Sequence, residues 1–191
     1  RLPRAIRDVY KRQDTYAAIH KVYQQLLTEC SNEDIIVMGD GTGGALALSF
    51  VQQLKSNNQP LPAKLYLFSP MLDAQLDNEN ITDDLIDKDV IINIEGLQKI
   101  MKVWSGNLPL NDSRLSPING ELFGLPPIYI FGGGREIYLP DMKKLVYMLE
   151  DMRQPVQLYT FKKMVNAFAL LPIRESHKVV KEIVNTIHDK R

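Results

Sequence analysis

Ile35-Ile36-Val37-Met38-Gly39-Asp40-Gly41-Thr42-Gly43-Gly44 passes from a short apolar run through a cluster of glycines into the apolar stretch 45–54. The run Ile35–Met38 reads as a strand covered on both faces, and the glycine turn feeds a helix over Gly44–Lys55. After a turn-rich connection at 57–62, Lys64–Phe68 reads as a second buried strand that stops at Ser69-Pro70. Strand, helix and strand in this order imply parallel pairing through a right-handed crossover. Upstream, Asp14 or Thr15 is placed to cap a helix whose apolar residues Ile19, Val22, Tyr23, Leu26 and Leu27 recur at spacings of three and four. Downstream, the acidic stretch Asp73–Asp89 suits a surface excursion with short helical turns. Glu95–Trp104 reads as an amphipathic helix, 107–124 as irregular, and Pro127–Phe131 as a third strand running into Gly132-Gly133-Gly134. Pro140–Met152 is a helix with proline in its first turn, Val156–Phe161 a fourth strand and Arg174–His188 a closing helix.

Strands alternating with helices predict an α/β fold: a parallel sheet with flanking helices whose ligand loops lie beyond the carboxyl ends of the strands. The loops 39–44, 132–141 and 163–172 all follow strands and are expected at one edge. A first strand bare on one side would leave a hydrophobic edge, pointing to N-terminal strands missing from the sequence. The expected organisation is therefore the C-terminal part of a larger domain over 14–191. Residues 1–13, with Arg1, Arg4, Arg7, Lys11 and Arg12, read as an unrelated or disordered leader.

The 191 residues are 45% hydrophobic, enough for one sizeable core. Twenty-three basic and twenty-three acidic side chains cancel, which leaves no long-range field to attract nucleic acid or an anionic membrane. Neither an apolar run of membrane-spanning length nor a signal-type segment is visible, so the default expectation is a cytoplasmic protein without a membrane span. The single Cys30 closes an apolar helix pattern and reads as a buried structural thiol.

Gly39-Asp40-Gly41-Thr42-Gly43 has the spacing of a Gly-x-Ser-x-Gly turn, in which small flanking residues let the chain pivot while a serine hydroxyl is pushed into the open beside backbone N–H donors. Gly41 stands in the serine's place. Hydrogen cannot attack a carbonyl, so the turn lacks the atom it is shaped to present.

The sequence from about Asp14 onward resembles the α/β-hydrolase fold, in the branch of carboxylesterases and lipases similar to hormone-sensitive lipase and including bacterial acetyl-esterase-like members. Gly39-Asp40-Gly41-Thr42-Gly43-Gly44 is similar to that family's Gly-Asp-Ser-Ala-Gly-Gly, departing at the serine and the residue after it. Ser69-Pro70-Met71-Leu72-Asp73 and Leu115-Ser116-Pro117 resemble two later landmarks, in the same order. The resemblance implies that Gly134–Asp141 carries the triad acid at Glu136, and that Met164-Val165-Asn166-Ala167-Phe168 stands for the histidine loop, with Asn166 in the base position. Thr42, Asp40 and Gly43 fall at the implied oxyanion and ligand-binding turn. The order nucleophile, acid, base is kept as Gly41, Glu136, Asn166, but an amide cannot shuttle a proton near neutral pH. The family's upstream His-Gly-Gly loop is not in the sequence.

Other residues do not replace what is lost. Thr42 is expected to offer its backbone N–H rather than its hydroxyl, and Ser69 and Ser116 precede prolines where a hydroxyl satisfies local backbone groups. His20, His177 and His188 fall in helical patterns away from the strand ends. Asp40, Asp73 and Asp141 have no histidine at ligand spacing and read as capping or turn residues, so no metal and no cofactor is expected. The triple glycine lacks the lysine and hydroxyl of a phosphate loop. The expectation is an esterase-like or lipase-like protein that is catalytically inactive and binds a small acyl or ester ligand, with self-association left open. Two alternatives stand beside it: an active short-chain carboxylesterase with another nucleophile and base, and a non-catalytic partner of an active paralogue.

Overall fold

A computed structural model describes residues 12–188 of the chain. Its elements in order are α1 (Arg12–Glu29), β1 (Ile36–Asp40), α2 (Gly41–Ser56), β2 (Lys64–Phe68), α3 (Asp83–Lys88), α4 (Ile94–Ser105), β3 (Ile128–Gly133), α5 (Leu139–Asp151), β4 (Val156–Phe161) and α6 (Arg174–His188). The four strands form one sheet in the order β1-β2-β3-β4, and every neighbouring pair is parallel. All carboxyl ends therefore share one edge, where the loops after β1, β3 and β4 meet as expected. The basic leader expected over 1–13 lies outside the described residues except for its last two positions, which belong to α1.

The two-residue period of the strands sorts side chains by chemistry. Leu65, Leu67, Ile128 and Ile130 enter the larger aliphatic core with Leu48 and Leu54 of α2 and Leu145 and Leu149 of α5. Tyr66, Phe68 and Phe131 point the other way and pack with Val179 of α6. On that second face an aromatic row crosses the sheet: Tyr66 stacks on Tyr129, Phe68 on Phe131, and Phe131 on Tyr159 with centroids 4.8 Å apart. Stacked pairs of this kind stabilise by about 1 kcal/mol beyond their burial. Thr186 fixes α6 over the row, taking a hydrogen bond at Oγ1 from or to the Tyr66 hydroxyl (3.1 Å) while its carbonyl accepts from Lys64 Nζ.

Several expectations are corrected. β1 is an edge strand and is not covered on both faces; Met38 is 47% exposed. Met38 pairs in register with Tyr66 at the end of the aromatic row, while Ile36 on the same face of β1 is partly buried against that cluster. Beside it, Val22 and Leu26 of α1 are exposed rather than buried, because that helix seats through Tyr16 and Tyr23 instead. Together with Ile19, Met38 and Leu46 they line an open apolar trough along the β1 edge. Cys30 is exposed, one residue past the end of α1, with Sγ 3.4 Å from the carbonyl of Leu26. The helix is already formed at Arg12, so neither Asp14 nor Thr15 caps it. Finally, the stretch after β2 is less superficial than its acidity suggests, since Asp73, Ala74 and Leu76 are buried.

Candidate active site

β1 hands the chain to α2 without a spacer. Asp40 is extended (φ −116°, ψ 150°), and Gly41 turns into the left-handed region at φ +50° and opens the helix. The helix thus begins three residues earlier than its apolar pattern suggests, inside the glycine turn itself. Gly39 is required by close approach: a Cβ there would overlap the carbonyl oxygen of Gly43 and stand 2.8 Å from the nitrogen of Gly44. Gly44 in turn lies against Pro70, where a Cβ would come within 2.8 Å of the proline ring. The turn is thereby clamped between its own helix and the 69–71 segment, and Met71 N donates to the carbonyl of Gly41 at 3.0 Å.

Around Gly41 there is open space. A Cβ built on it would meet nothing within 4 Å, so the position expected to hold a nucleophile has room for a side chain and a backbone bent to present one. Thr42 and Asp40 are exposed. Asp40 sits at the N-cap but makes no capping hydrogen bond with its side chain.

Across the same edge, Glu136 and Asn166 are brought together. Asn166 Nδ2 donates to Glu136 Oε2 at 3.0 Å, and Gly133 N donates to Oε1. Glu136 is fully buried and Asn166 nearly so. Burial pushes the Glu136 carboxyl up to about 7, against hydrogen bonds from Ser69, Gly133 and Asn166 that favour its charged form, and nearby Asp89 pushes the same way as burial. No lysine, arginine or histidine among the described residues forms an ion pair with it. Gly41 has no direct hydrogen bond to either residue; the connection runs through the Ser69-Pro70-Met71 segment.

Ser69 is the residue whose part was not legible. It is fully buried with φ +43°, its Oγ accepts from the backbone N–H of Ala167 at 3.1 Å, and its side chain also hydrogen-bonds Glu136. A hydroxyl expected to serve its own turn instead joins residues 98 positions apart. Ser116 departs from the local reading in the same way, accepting from Ala74 N (2.8 Å) and donating to Asp73 Oδ1 (3.0 Å) or to the carbonyl of Leu110 (2.6 Å). Both hydroxyls are sealed from solvent and neither contacts a histidine. His20 packs edge-on against Phe50, and His177 is exposed with Nδ1 2.9 Å from the carbonyl of Ile173, both within helices as expected. Side-chain contacts of His188 lie outside the described residues.

The three aspartates do not converge. Asp73 closes a local turn onto Gln75 N, and Asp141 accepts from Asn78 Nδ2 at 2.7 Å. Among the described residues no three His, Cys, Asp or Glu side chains are grouped so as to hold a metal ion, and no helix is long and apolar enough to cross a membrane.

Four similarities to known proteins bear on this arrangement. The profile of a family described as alpha/beta hydrolase fold matches residues 2–170. An esterase of Acinetobacter venetianus is 36% identical over 147 residues, covering 75% of this chain and 48% of the relative. A Staphylococcus aureus protein of solved structure, with a provisional assignment as an esterase, superposes with a TM-score of 0.93 at 51% identity, over 95% of this chain and 61% of that one. An esterase from the bacterial hormone-sensitive lipase family superposes with a TM-score of 0.80 at 25% identity, covering 86% and 56% of the two chains. The chain spans about half the length of the Acinetobacter relative.

Proposed function

The chain belongs to the α/β-hydrolase fold family, in its esterase and lipase branch similar to hormone-sensitive lipase, and from that premise we propose that it binds a small acyl or ester ligand at the turn after β1 without hydrolysing it. The observation that carries this reading is Gly41. The backbone there is bent to φ +50° with open space around it, the geometry suited to presenting a reactive side chain, and the residue has none. Hydrolysis of an ester needs an atom that attacks the carbonyl and a group that takes and returns its proton. In this reading Gly41 supplies neither oxygen nor sulfur, and Asn166 supplies an amide beside Glu136 where an imidazole would be needed.

Loss of turnover leaves the binding elements in place. The first N–H groups of α2, at Thr42 and Gly43, have no carbonyl within their own helix to bond, and Asp40 does not cap them. They are suited to an ester or acid carbonyl lying over Gly41, with the positive end of α2 favouring its oxygen.

Binding is tested on the purified chain with a short-chain acyl ester as probe. A ligand that prefers the native state raises the unfolding temperature in proportion to its concentration over Kd, and it slows hydrogen exchange at Thr42 and Gly43. A probe that shifts neither contradicts the binding reading.

A further inference from the structure

The six residues Lys162–Ala167 lie between the end of β4 and Phe168, whose buried ring packs on Phe161 at 4.8 Å. We infer that this segment is a latch over the carboxyl edge of the sheet, and that ionisation of Glu136 releases it.

Three hydrogen bonds tie the latch to neighbouring loops, besides the bond from Met164 N to the carbonyl of Phe161 and the packing of Met164 on the aromatic cluster. Arg135 N donates to the carbonyl of Met164 (3.0 Å), Asn166 Nδ2 donates to Glu136 (3.0 Å), and Ala167 N donates to Ser69 Oγ (3.1 Å). Two of these depend on Glu136, one directly and one through Ser69, which also hydrogen-bonds it. The closed form is strained as well. Ala167 (φ +56°) and Ser69 (φ +43°) are non-glycine residues in the left-handed region, and they are the pair joined by the third bond.

Among the described residues, no cation pairs with Glu136 to balance a charge. The charged group acting on it is the carboxylate of Asp89, whose Oδ2 accepts from Ile137 N and which penalises ionisation; the buried hydroxyl of Tyr138, itself raised by burial, stays neutral. Ser69, Gly133 and Asn166 contribute neutral dipoles. Lys162 and Lys163 on the latch and Arg135 on the β3–α5 turn are exposed and make no ion pair with it. Protonated, Glu136 can stay sealed and bonded to Gly133, Ser69 and Asn166. Ionised, it is a buried charge whose main penalty is desolvation, and that penalty is relieved by admitting water. The β3 side is fixed by sheet hydrogen bonds and the Ser69 side lies against the core. The short, strained segment ending at the Phe168 anchor is the part that can lift.

The proposal does not depend on ligand binding, and its test uses the ligand-free chain. Hydrogen exchange at Ala167 and Arg135, corrected for the intrinsic pH dependence of exchange, reports latch opening. If opening returns Glu136 to its ordinary 4.5 from about 7, exchange rises between those values, levels off above them, and gains about tenfold from pH 6 to pH 8. Glu136→Gln should abolish the rise while leaving amides in β2 unchanged. Should that variant fail to fold, Asn166→His provides a cation beside Glu136, and carbon NMR of the Glu136 carboxyl follows its titration in both the unaltered chain and this variant. Latch exchange that is flat from pH 5 to pH 8 in the unaltered chain, or that rises equally in Glu136→Gln, overturns the proposal. So does a carboxyl that titrates at the same pH with and without the histidine.

Discussion

A Cβ on Gly39 would overlap the carbonyl oxygen of Gly43, whereas one on Gly41, two residues along the same turn, would touch nothing within 4 Å. The two glycines are therefore needed for different reasons. Gly39→Ala forces backbone against backbone and should destabilise by about 3 kcal/mol or more. Gly41→Ala keeps its space and meets only the left-handed penalty, about 1–2 kcal/mol. Urea denaturation of the two variants checks the difference; equal losses would mean that the turn does not keep this geometry.

Ser116 is fully buried and serves three partners, Ala74, Asp73 and Leu110. Removing its hydroxyl strands Ala74 N in the interior, so Ser116→Ala should cost about 1–3 kcal/mol. The loss should be accompanied by faster hydrogen exchange at Ala74, which distinguishes unpinning of the 73–76 segment from a general weakening.

Asp141 accepts from Asn78 with one oxygen while the other, Oδ2, is buried without a hydrogen-bond partner. Burial pushes its carboxyl upward, so the charged form is the costly one. Asp141→Asn keeps the acceptor for Asn78 and should hold or raise the unfolding temperature at neutral pH. Asp141→Ala leaves Asn78 Nδ2 without its acceptor and should lower it. Calorimetry of both variants at one pH decides the matter.

Glu136 sets a pH dependence of stability whose sign is opposite to that of a paired carboxylate. Its folded value, about 7, lies above the ordinary 4.5, so the folded chain binds more protons than the unfolded chain between them. Its contribution is fully favourable below about pH 4.5, falls as pH rises toward 7, and is flat above. The span corresponds to about 3 kcal/mol. Subtracting the stability–pH curve of Glu136→Gln from that of the unaltered chain isolates it, and a difference curve that rises with pH would contradict the assignment.

Lys64–Phe68 was legible because a strand buried on both faces leaves an unbroken apolar run, and Val156–Phe161 because its residues alternate; both match the observed strands residue for residue. For β1 the bare side agrees with its terminal place in the strand order, and what its apolar run did not reveal is that Met38 on one face is exposed. The glycine turn was legible because its conformation needs glycine at fixed offsets. Cys30 was misjudged since an apolar helix pattern says where a stripe runs but not where the core stops. The site was legible only as far as side-chain identity reaches. The resemblance implied Gly41, Glu136 and Asn166 as positions, and the fold brings the last two within hydrogen-bond distance, while Ser69 showed only a serine before a proline. Its bond to Ala167 depends on β2 and the segment after β4 ending at one edge, a relationship made by the fold.

The proposal that the chain binds without cleaving is tested most directly by turnover of a chromogenic short-chain acyl ester on the purified, unaltered chain, beside Glu136→Gln. With hydrogen in place of an attacking oxygen at Gly41 and an amide at Asn166, release of the chromophore should not exceed the rate in buffer for either protein. Turnover by the unaltered chain that Glu136→Gln removes would contradict this, because it would require a working nucleophile and base coupled to that carboxyl.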